Sequence, residues 1–266
     1  MSTDTSLLFQ PLQSKDKTLR NRIVLPPMVV KRDLAGADGR AWSGQRAAGG
    51  VGLVIVEATQ VGLFGDTLTA ENLHPLVQAI HAGGALAAIQ LYPRDRGLGR
   101  TPGELTPNEI EALIDAYRVA AQVCAAAGFD GIEPHGAHGY LLNQFFSPER
   151  NKRTDTYGTA SLENRMRLAL RIVETVRPIV DSADMLLLYR HTPVRSGYGI
   201  EDSLVLAQAL VETGVDVLDL SPSSVDAPGD RAAPFAHLGV PTIAVGELDR
   251  VERALEVLRE KRASLV

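Results

Sequence analysis

Eight short apolar runs recur along the chain, and stretches with helical periodicity lie between most of them. The runs are residues 23–25, 53–57, 85–91, 131–134, 185–189, 215–220, 242–245 and 264–266. Several are apolar without alternation, which is typical of parallel strands buried on both faces. Strands that alternate with helices favour a parallel sheet with right-handed crossovers, so this order limits the chain to an α/β fold.

The stretch from Thr106 to Gly128 carries the clearest helix signals. Thr106 is a predicted N-cap, Pro107 occupies the first helical position and Glu109 places an acid in the first turn. Apolar residues then follow with i, i+3 and i+4 spacing until Gly128. Similar patterns over residues 161–180, 201–213 and 249–261 predict further helices between consecutive strands.

The number of strands predicts a closed barrel. Eight strands suit a (β/α)8 TIM barrel better than a doubly wound sheet, and no G-x-G-x-x-G motif follows the first strand. Such a barrel uses about 250 residues as one unit, and the chain has 266. We therefore expect an α/β protein with one (β/α)8 domain over residues 1–266, trimmed loops and no final covering helix.

Composition and charge exclude several function classes. The net charge is −5 with acidic and basic residues interleaved, so no nucleic-acid partner is expected. No apolar stretch approaches the roughly 18 residues that span a bilayer, so no membrane partner is expected. The first ten residues lack the features of a signal peptide, and a single cysteine excludes a disulfide framework. A cytoplasmic protein without a metal site is the expectation.

Polar or ionisable side chains recur where the apolar runs end. In TIM barrels the chemistry lies at the carboxyl ends of the strands and in the loops after them. The candidates at these positions are Pro26, Pro27 and Met28; Ala58 and Thr59; Gln90; His135 to Tyr140; Arg190 and His191; Ser221; and Gly246. Because these ends meet at one rim, the residues are expected to line one site that takes a small-molecule substrate.

The segment after the fourth run carries the most specific motif. It reads HGAHGYLL over residues 135–142, followed by NKRTD at 151–155 and SLENR at 161–165. The stretches LRNRIV at 19–24, PPM at 26–28, GGVGL at 49–53 and PTIAVG at 241–246 extend the pattern. Together they closely resemble the old yellow enzyme family, from about residue 8 to the last residue.

This resemblance implies a flavoprotein oxidoreductase, an ene-reductase that holds FMN at the barrel mouth. NADPH or NADH would reduce the flavin, and hydride would pass to the β-carbon of an enone or a similar activated alkene. His135 and His138 match the pair that hydrogen-bonds the substrate carbonyl, and Tyr140 matches the acid that protonates the α-carbon. The matches to flavin-binding residues are Pro27, Met28, Ala58, Gln90, Arg190 and, on the phosphate side, Gly246.

The residue types suit this chemistry. Two imidazole donors can stabilise the negative charge that develops on the carbonyl oxygen. A tyrosine hydroxyl can deliver a proton without being ionised at neutral pH. An arginine beside the pyrimidine edge would favour the anionic reduced flavin.

The chain departs from the family in its loops and beside the flavin. Val29 stands where the family usually carries threonine or cysteine. This difference either alters the redox behaviour of the flavin or is a packing substitution without functional effect. The loop that begins at residues 92–96 and the segments 32–43 and 221–234 are shorter than in relatives. A smaller lid predicts a more open pocket.

The flavin phosphate is the most serious departure. Relatives follow the eighth strand with a glycine–arginine pair that binds this phosphate, whereas the sequence stops at residues 264–266. Gly246 is the remaining phosphate cue, and Glu247 beside it is an unfavourable neighbour for a dianion. An uncovered last strand would expose apolar surface, which predicts a homo-oligomer that covers it.

Two alternatives to a flavoenzyme stay open at this point. In the first, the barrel is flavin-free and His135, His138 and Tyr140 carry out non-redox acid–base chemistry, isomerisation or cyclisation, on an enone-like substrate. In the second, the chain is a non-catalytic remnant or partner subunit, which the intact motif at residues 135–142 disfavours.

Overall fold

The computed structural model describes residues 4–93, 101–222 and 231–266. It begins with a 3-10 turn, Ser6–Phe9, and an antiparallel hairpin of β1 (Leu12–Ser14) and β2 (Lys17–Leu19). Leu19 is buried in the same cluster as the side chains that line the barrel. The hairpin therefore plugs one end of the barrel.

Parallel strands form the barrel wall, each beside its neighbour in sequence. They are β3 (Val24–Leu25), β4 (Leu53–Gln60), β5 (Leu86–Tyr92), β6 (Gly131–Gly136), β7 (Leu186–His191), β8 (Val217–Leu220) and β9 (Thr242–Ala244). Each overlaps one of the first seven predicted runs. This unbroken order distinguishes the sheet from a doubly wound one, whose strand order reverses, and confirms the predicted α/β barrel.

The end of the chain closes the barrel between β9 and β3. The Leu265 amide donates to the Thr242 carbonyl at 2.9 Å. On the other side, the Val266 amide donates to the Arg22 carbonyl at 3.0 Å, and the Val24 amide donates to the Val266 carbonyl at 2.8 Å. The last run thus takes the place of an eighth strand. The predicted exposure of this strand is wrong for Leu265, which is fully buried.

Helices connect the strands. Those in the described residues are α1 (Ala37–Ala48), α2 (Ala70–Ala82), α3 (Pro107–Ala127), α4 (Leu141–Phe146), α5 (Leu162–Ser182), α6 (Ile200–Thr213) and α7 (Val251–Arg259). The four predicted helical segments correspond to α3, α5, α6 and α7. The segment 32–43, predicted only as a shortened loop, includes the start of α1. That helix is rich in alanine, glycine and polar residues, so its sequence has little apolar periodicity.

The start and end of α3 are as predicted. The Thr106 hydroxyl accepts from the Glu109 amide at 3.3 Å, and the Glu109 carboxylate accepts from the Thr106 amide at 2.8 Å. Gly128 ends the helix with φ at 89°, a left-handed conformation that suits glycine. This reciprocal capping fixes where the chain leaves the loop after β5.

Alternation along each strand separates two apolar layers. Side chains facing the barrel interior form one cluster, which includes Leu53, Ile55, Ala88, Leu186, Leu188, Val217, Ile243 and Leu265. Their neighbours in sequence, such as Val54, Ala87 and Leu187, pack outward against the helices. The interior positions nearer the carboxyl ends of the strands are polar, so the barrel is apolar at its base and polar at its mouth.

Two loop predictions fall partly outside this description. Residues 94–100 of the loop after β5 and residues 223–230 of the loop after β8 lie outside the described residues. Of the helices in the described part of the chain, none is long and apolar enough to cross a membrane.

Candidate active site

A belt of polar side chains lies at the carboxyl end of the barrel interior. Strand register pairs Gln90 with Glu133, His135 with Arg190, and Arg190 with Asp219. Paired residues on parallel strands face the same side, and here they continue the interior positions above the apolar base. All five are at most 5% exposed. Polar side chains from four consecutive strands, four of the five ionisable, are therefore gathered in one buried layer.

The three residues expected to meet substrate lie together where β6 ends. The ring centroids of His135 and His138 are 5.3 Å apart, and those of His135 and Tyr140 are 4.9 Å apart. Tyr140 also makes an edge contact with Tyr92 of β5, with the centroids at 6.1 Å. His135 is buried, whereas His138 and Tyr140 are partly exposed. A ligand can therefore reach the cluster from the mouth.

Hydrogen bonds from two neighbouring elements hold the turn that contains His138. His138 has φ at 57°, a left-handed conformation that is uncommon for a residue with a side chain. Its amide donates to the Thr192 hydroxyl at 3.0 Å. The following Gly139 amide donates to the Asn143 side chain at 2.9 Å, and Gln144 donates to the Gly139 carbonyl at 2.8 Å. The site residues are therefore fixed by the loop after β7 and by α4.

Ser221 links the two sides of the site. Its hydroxyl accepts from Arg190 Nη2 at 2.8 Å and lies 2.9 Å from His138 Nε2. Since the Arg190 guanidinium can only donate, the serine proton is available to donate to Nε2. When the serine donates to Nε2, a neutral His138 carries its proton on Nδ1, and the bond orients the ring.

Both histidines are held in the neutral form. Burial, then Arg190 and Arg195, lowers the pKa of His138 to about 4. Burial lowers the pKa of His135 well below its usual value, and His138 and Arg190 add to the effect. Neutral imidazoles are expected near pH 7, where they can donate one hydrogen bond each. The arrangement suits stabilisation of a developing oxyanion without a formal positive charge.

The residues expected on the flavin side lie around the same mouth. Pro27 and Met28 follow β3, and Ala58 lies in β4 at a break in its register with β5, between Val56 and Thr59. The Glu57 carboxylate accepts from the Val30 amide at 2.6 Å and so ties the segment after β3 to β4. Met28 is 50% exposed and Val29 43%. This apolar surface at a polar mouth suits a flat aromatic ligand.

Buried carboxyl groups hold the side chains of Gln90 and Arg190 in place. Gln90 Nε2 donates to Glu133 Oε1 at 2.7 Å, and Arg190 Nη1 lies 3.3 Å from Asp219 Oδ2. Among the described residues, buried Arg190 Nε has no hydrogen-bond partner. A buried donor without a partner is costly. The acceptor edge of a flavin pyrimidine ring is a suitable partner, so these residues fit the ring.

Gly246 follows β9 with φ at 115° and opens onto an apolar groove of about 420 Å³ between β3, β9 and α7. Pro26 and Val245 line this groove, and Arg250 is the cation in its lining. The predicted phosphate cue therefore lies beside a space that a cofactor side chain can enter. Glu247 has φ at 56° and joins a different surface, with Arg253.

The segments 151–153 and 163–165 have an architectural role. Buried Asn151 donates to the carbonyls of Phe145 and Tyr157 at 2.9 and 2.7 Å. Arg165 donates to the Phe146 carbonyl at 3.3 Å and to Asp202 at 2.8 Å. These bonds hold the long connection after β6 against α5 and α6, behind the site.

Sequence reasoning missed Glu133, Asp219 and Thr192. The first two did carry a signal, since each is an acid between apolar neighbours in a strand. Acids are almost never fully buried unless they are paired. Thr192 carried no such signal, because only the folded structure brings its hydroxyl to the His138 amide.

Comparisons with known proteins agree with this geometry. The chain matches the NADH:flavin oxidoreductase / NADH oxidase family over residues 7–100 and 96–266. It is 34% identical over 302 residues to the NADPH dehydrogenase of Halalkalibacterium halodurans, covering 97% of this chain and 88% of that protein.

Solved structures match the fold as well. The structure of morphinone reductase covers 99% of this chain and 86% of its own, with 26% identity and a TM-score of 0.84. An old yellow enzyme homologue from Zymomonas mobilis covers 97% and 87%, with 25% identity and a TM-score of 0.82. Both relatives share most of their length with this chain.

Proposed function

The chain belongs to the NADH:flavin oxidoreductase / NADH oxidase family, which confirms the resemblance to old yellow enzymes, and from this premise we propose how its site works. The protein is an FMN-dependent oxidoreductase that takes its electrons from NADPH or NADH. Its substrates are small molecules with an activated C=C bond, enones or similar. Reduction takes place at the mouth built by His135, His138 and Tyr140.

One observation supports this function most strongly. Within the described part of the chain, buried Arg190 presents an Nε without a hydrogen-bond partner at the same mouth as the His135–His138–Tyr140 cluster, and Ser221 bridges Arg190 to His138. A cofactor edge that accepts from Arg190 would therefore lie next to a substrate that accepts from the histidines. The flavin-free alternative leaves Arg190 Nε without an acceptor, and the comparisons do not favour it.

The residues assigned to FMN fall into three groups. Gln90 and Arg190 would hold the pyrimidine edge through hydrogen bonds. Pro27, Met28 and Ala58 would contact the ring through backbone and apolar surface. Gly246 would bind on the phosphate side, where Arg250 supplies a positive charge in the same groove. When bound, FMN supplies the hydride that reaches the β-carbon of the alkene.

The remaining residues act on the substrate. His135 and His138, both neutral, donate hydrogen bonds to the carbonyl oxygen and stabilise its negative charge as it develops. The Tyr140 hydroxyl donates its proton to the α-carbon, which completes the addition of hydrogen across the double bond. Burial of His135 and the edge contact of Tyr92 with Tyr140 limit how far these groups can move.

A spectral titration tests the cofactor assignment. Flavin-free protein is titrated with FMN, and flavin fluorescence and visible absorbance are recorded for the wild type and for Arg190→Ala. We expect quenching with saturation in the wild type and a binding constant weakened at least about tenfold in the variant, since a charge-assisted hydrogen bond contributes roughly 1.5–3 kcal/mol. No quenching of FMN by the wild type would refute the assignment.

A homo-oligomer stays a proposal. Val266 is only partly buried, and Val251 of α7 is 46% exposed. A second copy that covers this surface would remove apolar area from water. Light scattering at two protein concentrations tests it, and a monomer at both would refute it.

A further inference from the structure

Glu133 and Asp219 have no role in the reaction described above, although both are fully buried at the centre of the site. They project from β6 and β8, on either side of β7, which carries Arg190, and each carboxyl affects the pKa of the other. Among the described residues, Glu133 Oε2 and both Asp219 carboxylate oxygens accept no hydrogen bond of good geometry, and Asp219 Oδ2 has only its ion-pair contact with Arg190 Nη1 at 3.3 Å. Three such acceptors in one buried place are unusual, because buried polar groups are normally hydrogen-bonded.

A proton between the two carboxyl groups removes this conflict. With both ionised, two negative charges would share the single positive charge of Arg190 in a buried layer, and an uncompensated buried charge is strongly unfavourable. With one proton, Glu133 Oε2 becomes a donor to Asp219, and the three groups together are neutral.

The hydrogen bonds indicate which group carries the proton. Gln90 Nε2 donates to Glu133 Oε1 at 2.7 Å, as it can to the carbonyl oxygen of a neutral acid, so Oε2 is the hydroxyl oxygen. Asp219 lies 3.3 Å from Arg190 Nη1 and keeps the negative charge. Burial raises the pKa of both carboxyls. The charge of Asp219 raises that of Glu133 further, whereas Arg190 opposes the rise in both.

The surroundings add no further charge that would change this assignment. Of the described neighbours, β5 contributes the amide of Gln90, β7 contributes Arg190, and the loop after β8 contributes the Ser221 hydroxyl that Arg190 already uses. His135, two residues beyond Glu133 on β6, is held neutral by its burial.

We propose that Glu133 and Asp219 form an acid–carboxylate pair that shares one proton and positions Gln90 and Arg190 for the cofactor. Because Glu133 occupies Gln90 Nε2, the amide oxygen of Gln90 is left as an acceptor. Because Asp219 and Ser221 occupy the two terminal nitrogens of Arg190, its Nε is left as a donor. Both carboxyls are positioning residues. The proton sharing is a property of the protein alone, whereas its benefit to FMN rests on the proposed function.

Infrared spectroscopy of flavin-free protein tests the shared proton directly. We expect the carbonyl stretch of a protonated carboxyl near neutral pH in the wild type, and its loss in Glu133→Gln. Asp219→Asn should also lose it, because Glu133 then ionises and becomes the partner of Arg190. The matched control is Asp216→Asn, which removes a carboxylate of a partly buried ion pair, with Arg177 at 2.8 Å, and should keep the band. Thermal unfolding of every variant reports on the fold.

The role in positioning is tested by FMN affinity. Glu133→Ala should weaken binding roughly tenfold, the effect of about one hydrogen bond on a positioned group. Glu133→Gln should recover most of that loss, because its amide reproduces both the acceptor for Gln90 and the donor for Asp219. If Glu133→Gln binds FMN as weakly as Glu133→Ala, a charge is needed at this position and the proposal is wrong. A wild type without the infrared band would also overturn the proposal. Failure of the wild type to bind FMN would refute the proposed function but leave the infrared result to decide the shared proton.

Discussion

Ser221 Oγ lies 2.9 Å from His138 Nε2 and 2.8 Å from Arg190 Nη2, so one hydroxyl on the loop after β8 connects the residue expected to hold substrate with the residue expected to hold flavin. Neither residue can change its orientation without disturbing the other. This relationship makes the substrate side and the cofactor side of the mouth one unit.

The Ser221→Ala substitution tests this connection. It removes the bond that orients His138, and we expect kcat/KM for 2-cyclohexenone to fall about tenfold, the effect of one hydrogen bond of about 1.4 kcal/mol. Ser203→Ala is the matched control. Ser203 is also buried and bonds a histidine, His191, at 2.9 Å, but on the outer side of the barrel. Equal losses in both variants would mean that the effect is on folding rather than on the site.

The proton donor is tested by Tyr140→Phe. The ring remains to pack against His135 and Tyr92, but the hydroxyl is lost. We expect the rate of alkene reduction to fall about 100-fold or more, since a positioned acid contributes roughly that much, while reduction of the flavin by NADPH continues. Stopped-flow absorbance separates the two half-reactions. Tyr117→Phe, which changes a buried tyrosine of α3, is the control and should reduce alkenes at the wild-type rate. An undiminished rate in Tyr140→Phe would assign the proton to another group.

Acid should destabilise the fold through the buried histidines. The pKa of His138 is about 4 in the folded protein and about 6.5 in an unfolded chain, so between these values the unfolded state binds a proton that the folded state does not. The contribution of neutral His138 to the free energy of unfolding is complete above about pH 6.5 and is lost as the pH falls toward 4. The pKa of His191 is lowered by burial to about 3, which acts in the same direction.

Urea unfolding across this range measures the effect. Each such group adds about 1.4 kcal/mol per pH unit to the slope of the unfolding free energy. His138→Asn should therefore have a shallower slope than the wild type, whereas His237→Asn, at an exposed position, should retain it. A wild-type slope in His138→Asn would show that this ring is not held neutral.

Barrel closure depends on Leu265. Its side chain is fully buried in the interior cluster, beside Val24 and Ile243. Leu265→Ala should lower the free energy of unfolding by about 2–5 kcal/mol, as large-to-small substitutions in a core do. Val205→Ala, at a residue that is 48% exposed, is the control and should change it by less than about 0.5 kcal/mol. A small effect of Leu265→Ala would mean that the chain end does not complete the wall.

The sequence was sufficient to predict the barrel because its strands are short, buried and apolar, a pattern that few other folds produce. The clustering of His135, His138 and Tyr140 at the end of a strand was also predictable, since HGAHGY is a specific motif. Helix α1 was not, because a helix of alanine, glycine and polar residues shows no apolar periodicity even where packing stabilises it.

The support behind the site was harder to predict. The Thr192 contact joins residues that are 54 positions apart, and the Ser221 contact spans 83. Such pairs depend on strand register, which a single sequence does not provide. The burial of Glu133 and Asp219 has the same origin, because only the closed barrel places the two acids on either side of Arg190.

The most direct test of the central claim is an anaerobic measurement on FMN-loaded protein. Visible absorbance is followed as NADPH is added and then as 2-cyclohexenone is mixed with the reduced protein. The structure predicts that NADPH bleaches the flavin band and that the enone restores it, with cyclohexanone as the product. A flavin that NADPH reduces but that stays bleached in the presence of the enone and of other activated alkenes would contradict alkene reduction at the His135–His138–Tyr140 site.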